Sequence, residues 1–140
     1  MDKRTRDFFV SVLLQSKGLS ECKLSSAALI SRGKNIVTNQ YSYGLTSSRD
    51  NYLSSPIISA VLEYNVSSRN SSDDEEALFS TYFPNFSELQ VLHNTQIRTI
   101  YFFGDISDTK SAKFLNQLGK DARKDGMSDD YRIINLKTEV

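Results

Sequence analysis

Apolar residues in this chain recur in two periods, and polar punctuation separates them. Over 4–17, Phe8, Phe9, Val12 and Leu13 recur at helical spacing on one side, and Gly18 supplies a stop. Two short apolar runs, 26–31 and 35–41, flank the turn residues Arg32, Gly33, Lys34 and Asn35, a pattern that predicts a β-hairpin. Residues 42–54, rich in Ser, Tyr, Asn and Gly, read as an irregular loop. Pro56 then suits a first helical turn, and Ile57, Ile58, Val61 and Leu62 make an apolar face through Tyr64. A polar, then acidic, loop spans 65–76 and ends in Asp73, Asp74, Glu75 and Glu76. After it the pattern predicts a strand at 77–83, punctuation at Pro84, a helix at 87–94, a strand at 98–103, a helix at 111–124 and a strand at 131–136.

Strands separated by single helices make a parallel βαβ series, here with an antiparallel pair in front. The expected fold class is α/β: a five-stranded mixed sheet with an antiparallel N-terminal hairpin and helices on both faces. The 140 residues suffice for one domain, 1–140, and 39% hydrophobic residues suffice for its core.

Composition narrows the chemistry. Seventeen basic and seventeen acidic side chains give a net charge of zero, which disfavours a surface built to grip nucleic acid or an anionic membrane. One cysteine, Cys22, excludes an intramolecular disulfide and thiolate-rich metal sites; one histidine, His93, excludes multi-histidine sites. No apolar run approaches a membrane span and no leader pattern stands at Met1, so a reduced, cytoplasmic protein is expected, and the triplets at Asn65, Asn70 and Asn85 are taken as chance matches to glycosylation acceptors. No cofactor, metal or membrane partner is expected.

Several strings, in order, resemble the cytidine deaminase-like fold, closest to the deoxycytidylate (dCMP) deaminase branch. Cys22 to Ile30 is similar to that family's cysteine, basic residue and first strand; Ile36 to Gly44 is similar to its second strand. Ala77 to Pro84 is similar to the strand that ends in Pro-Cys, and Leu92 to Phe103 to the helix end and strand that follow. The strings cover roughly 7–104, and element order extends the resemblance to the rest. It implies a three-layer α/β/α architecture, a zinc-activated water and a carboxylate that shuttles protons.

The family's signature is His-x-Glu on one helix and Pro-Cys-x-x-Cys at the next. Matched by position, Ser55 stands at the histidine ligand and Ile57 at the proton shuttle, while Asn85 and Glu88 stand at the two cysteines. Serine and asparagine present neither an anion nor an imidazole nitrogen to zinc, and isoleucine carries no proton. Ser42 stands at the substrate-gripping asparagine.

No replacement site emerges elsewhere. Glu88 and His93 are five apart on one helix and share no face well. His93 suits a helix C-terminus, and Cys22 has no visible activating histidine. Gly33, Gly44 and Gly104 fall in separate turns, and no Gly-x-Ser-x-Gly string is present. The basic cluster Lys3, Arg4 and Arg6 and the acidic run read first as solvated charges, and Lys120, Arg123 and Lys124 as charges that complement the dipole near the end of the last helix.

The expected function is that of a pseudoenzyme: a catalytically inactive deaminase-like protein that binds another protein or protein complex, as an accessory subunit or an inhibitor, in a homo- or hetero-oligomer, with a viral or phage origin in view and the host cytoplasm as its place in that case. The contact elements expected are the helix after Pro84 and the loop 65–76; the strands holding Phe79, Tyr82 and Phe83 and Tyr101, Phe102 and Phe103 carry more large apolar groups than one sheet face needs, and core is the first reading of them. The alternative is a module that binds a nucleotide or single-stranded nucleic acid in the inherited cleft, with Tyr41, Tyr43, Tyr52, Phe83 and Phe86 placed to stack a base.

Overall fold

The computed structural model describes residues 1–19, 26–42, 44–47, 50–53, 55–67, 75–104, 113–114 and 131–136. Cys22, Tyr43, Asp73, Asp74 and most of the predicted helix 111–124, with Lys120, Arg123 and Lys124, lie outside them; Lys113 and Phe114 are helical.

The first helix, α1 (Lys3–Leu19), is started by Asp2, whose Oδ1 accepts the Thr5 N–H at 2.7 Å. Hydrogen bonds from Thr5 hold the Asp2 carboxyl below its usual range. Phe9, Leu13 and Ser16 are buried at helical spacing, whereas Phe8 is 55% exposed. The expectation of Phe8 on the same side therefore fails, because a neighbour along the helix is turned away by about 100°.

Strands β1 (Ala27–Arg32) and β2 (Asn35–Tyr41) form the antiparallel hairpin, and Gly33 takes φ 58° in its turn, where a side chain would be strained. A register shift between Ile30 and Ser31 interrupts the ladder. Where the sequence predicts an irregular loop, β3 (Gly44–Ser47) and β4 (Asp50–Leu53) pair as a separate two-stranded sheet, with Leu45 opposite Tyr52. Each strand is four residues long and mostly polar, so it carries too little alternation for sequence patterning to find.

Helix α2 (Pro56–Ser67) continues past Tyr64, and β5 (Glu76–Ser80) already begins at Glu76, so the predicted loop 65–76 is shorter at both ends. Strand β5 stops at Ser80 rather than 83: the Ala27 N–H bonds to the Thr81 hydroxyl at 3.0 Å and the Tyr82 N–H to Ser80 Oγ at 3.2 Å, which turns the chain off the ladder. Then follow α3 (Phe86–His93), β6 (Thr99–Phe102) and β7 (Arg132–Asn135).

The sheet order is β2-β1-β5-β6-β7, antiparallel through β1–β5 and parallel from β5 to β7. Alternation along β1 divides the core. Ala27 and Leu29 join Phe9, Leu13, Phe79 and Tyr101 beneath α1; Ala28 and Ile30 join Ile57, Val61, Leu89 and Leu92 beneath α2 and α3. Three of the strand aromatics are core: Phe79, Tyr101 and Phe102 are 0–5% exposed, and Phe79 stacks on Tyr101 at 4.4 Å, whereas Tyr82 and Phe103 are only partly buried. A central parallel strand is buried on both sides and uses large groups on both.

Candidate functional site

The N-termini of α2 and α3 meet on one side of the sheet. Ser55 starts α2: its Oγ accepts the Ile58 N–H at 3.1 Å, its carbonyl accepts the Ser59 N–H at 3.0 Å, and Pro56 follows where a missing N–H costs nothing. Asn85 starts α3 with a reciprocal box: its Oδ1 accepts the Glu88 N–H at 2.9 Å, and Glu88 Oε1 accepts the Asn85 N–H at 3.0 Å.

Glu88 is 2% exposed, and its second oxygen joins the two helices. Oε2 accepts from Ser55 Oγ at 2.5 Å and from the Tyr82 hydroxyl in the bend after β5. Burial first, then the Glu88 charge, pushes the Tyr82 hydroxyl far above its usual range, while Ser55 and the Ile57 backbone N–H pull the other way. Ile57 itself is fully buried in the apolar cluster with Leu89 and Leu92. The structure thus joins Ser55, Asn85 and Glu88 in one hydrogen-bonded network, with Ile57 in the adjoining core. Tyr82 is the member that sequence reasoning missed. It stands out in the sequence only as one of the strand aromatics, two residues before Pro84, and nothing there announces its partner.

The other candidates are dispersed. Phe83 is 8% exposed and packs edge-on against Phe102 at 4.9 Å, which removes it from any stacking surface. Phe86 is half-buried against Phe114 at 5.4 Å, and Tyr41 is exposed at the end of β2. Tyr52 lies in β4. Ser42 is buried, and its Oγ accepts the Ser26 N–H at 2.9 Å, closing the hairpin. His93, at the far end of α3 from Glu88, places Nδ1 3.0 Å from the Tyr131 hydroxyl.

Both described carboxylates of the acidic run, Glu75 and Glu76, have internal partners. Glu75 lies 3.8 Å from the N-terminal amine and 3.5 Å from Arg132, and Glu76 lies 3.6 Å from Arg32. Burial and a hydrogen bond with Glu76 push the Tyr64 hydroxyl up to about 12. On the opposite face, a groove of about 420 Å³ lies beside α1, lined by the apolar Val10, Leu14, Phe103 and Leu136 and by Lys3, Arg6 and Asp7.

Among the described residues, no three His, Cys, Asp or Glu side chains gather as a metal site, and no helix is long and apolar enough to cross a membrane. No protein-family model matches the chain, and no curated protein matches it. The fold has solved neighbours. The dCMP deaminase of cyanophage S-TIM5 in apo form is 17% identical with a TM-score of 0.70, over 97% of this chain and 100% of that one. The structure of that phage's enzyme in complex with dCMP and dUMP is 15% identical with a TM-score of 0.72, over 97% and 99%. The architecture is therefore that of a dCMP deaminase along nearly the whole chain.

Proposed function

We propose that this chain, on the fold of a dCMP deaminase, carries out no deamination of its own and acts by binding another protein, as an accessory subunit or inhibitor. The observation that carries this reading is the donor set where α2 and α3 meet. Catalytic zinc takes three protein ligands drawn from imidazole, thiolate and carboxylate. Here stand two hydroxyls, one amide and a single carboxylate whose two oxygens already accept three hydrogen bonds. Those residues do not fit a zinc ion, and Ile57 offers no group to move a proton between water and a base.

A protein partner is supported by the surface. Phe8, Leu14, Tyr41 and Leu62 are 41–61% exposed, and Leu14 lines the apolar groove beside α1. A net charge of zero gives no general attraction to a polyanion. Asp73 and Asp74 stay in the proposal as contacts, whereas Glu75 and Glu76 already serve the fold. If the chain is viral, its place is the host cytoplasm. The test is affinity capture with variants: Leu14→Ala or reversal of Asp73 and Asp74 abolishes capture, and Ser55→Ala or Ile57→Val does not. Capture lost only in the Ser55 and Ile57 variants overturns the reading.

One observation favours a second reading, nucleotide binding without chemistry: the phage structure of the same fold holds dCMP and dUMP. Tyr41, Tyr43, Tyr52 and Phe86 are the stacking residues of that proposal. A steep loss of binding with added salt, the signature of phosphate contacts, selects it over a protein interface.

A further inference from the structure

Three donors end on Glu88: Ser55, 33 positions away at the start of α2, and two local ones, Tyr82 in the bend after β5 and the Asn85 N-cap of α3. Removing a carboxylate from water costs several kcal/mol unless its lone pairs are used, and here three donors use them. The hydrogen bonds also run in series. The Ile58 N–H donates to Ser55 Oγ, Ser55 Oγ donates to Glu88 Oε2, and Glu88 Oε1 accepts the Asn85 N–H. One carboxylate thus belongs to the caps of both helices.

The electrostatics point the same way. Each helix carries a partial positive charge at its N-terminus, and two such ends placed together repel unless an anion lies between them. Glu88 is the carboxylate of that network, and it is almost wholly shielded from water. We propose that Glu88 is a built-in anionic clasp: its charge neutralises the converging N-termini of α2 and α3 and holds the two helices together without a metal ion. This inference does not depend on which partner the protein binds, so loss of the clasp and loss of the binding reading are separately visible.

The experiment is thermal unfolding of the full chain with three additives. Glu88→Gln keeps the size of the side chain but replaces an accepting oxygen with an N–H donor, and it lowers Tm by about 5–10 °C. Ser55→Ala and Tyr82→Phe each lower Tm in the wild type and lower it less in the Glu88→Gln background, because their shared acceptor is already lost. In Glu88→Ala, sodium formate refills the space between the helix ends and raises Tm by about 2–4 °C, an effect that equal sodium chloride does not match. Zinc chloride leaves the wild-type Tm unchanged. If Glu88→Ala does not fold, the Glu88→Gln and double-variant comparisons decide alone. A Glu88→Gln protein as stable as the wild type, fully additive double variants or a wild type stabilised by zinc overturns the proposal.

Discussion

Ser55 Oγ lies 2.5 Å from Glu88 Oε2, joining residues 33 positions apart in sequence and tying the start of α2 to the first turn of α3. The serine also accepts the Ile58 N–H, so its hydroxyl is committed as both donor and acceptor. A hydroxyl and a carboxylate engaged in this way close off the junction of the two helices.

Tyrosine ionisation reports on that closure at Tyr82 and on the Glu76 contact at Tyr64. Tyr64 is pushed up to about 12 by burial and its bond with Glu76, and Tyr82 higher still by burial and Glu88. Both hydroxyls hold their protons more tightly folded than unfolded, where a tyrosine titrates near 10. Their contribution to stability is thus complete below about pH 10 and is lost as pH rises through their folded values. In an alkaline titration followed at 295 nm, these two tyrosines ionise late, together with unfolding. Tyr64→Phe removes part of the late absorbance and makes stability fall less steeply above about pH 10.

The stacked pair under α1 is the second test. Phe79 is fully buried between Phe9, 5.5 Å away, and Tyr101, 4.4 Å away. Phe79→Ala should cost about 3–5 kcal/mol in denaturant unfolding, through lost burial and a residual cavity. Phe8→Ala, one position from Phe9 but 55% exposed, should stay within about 0.5 kcal/mol.

Gly104 isolates a backbone effect. It adopts φ 104°, and a Cβ added there meets open space. Gly104→Ala should therefore cost about 1–3 kcal/mol, entirely from the backbone conformation. Its carbonyl also accepts Asn135 Nδ2 at 2.7 Å, which ties the end of β6 to β7, so amide exchange in Arg132–Asn135 should quicken in the variant.

Sequence patterning read the sheet well because its strands are apolar runs with clear punctuation; β1, β2, β5, β6 and β7 all lie where the runs stand, and the antiparallel and parallel pairings follow their order. Gly44–Ser47 and Asp50–Leu53 are short polar strands that carry no periodic signal, and Phe8 is adjacent to Phe9 without sharing its face. The site was half legible. Ser55, Asn85 and Glu88 were found by position, and the capping box of Asn85 and Glu88 has a recognisable spacing. The Tyr82 contact was not legible, because it depends on how β5 ends against β1, and only the folded chain brings that hydroxyl to Glu88.

The central claim, a deaminase fold without deaminase chemistry, is tested most directly by measuring zinc content and dCMP turnover together on protein purified with zinc in the medium. Far less than one zinc per chain and no dUMP above the uncatalysed background are expected. One zinc per chain together with steady conversion of dCMP to dUMP would contradict that claim.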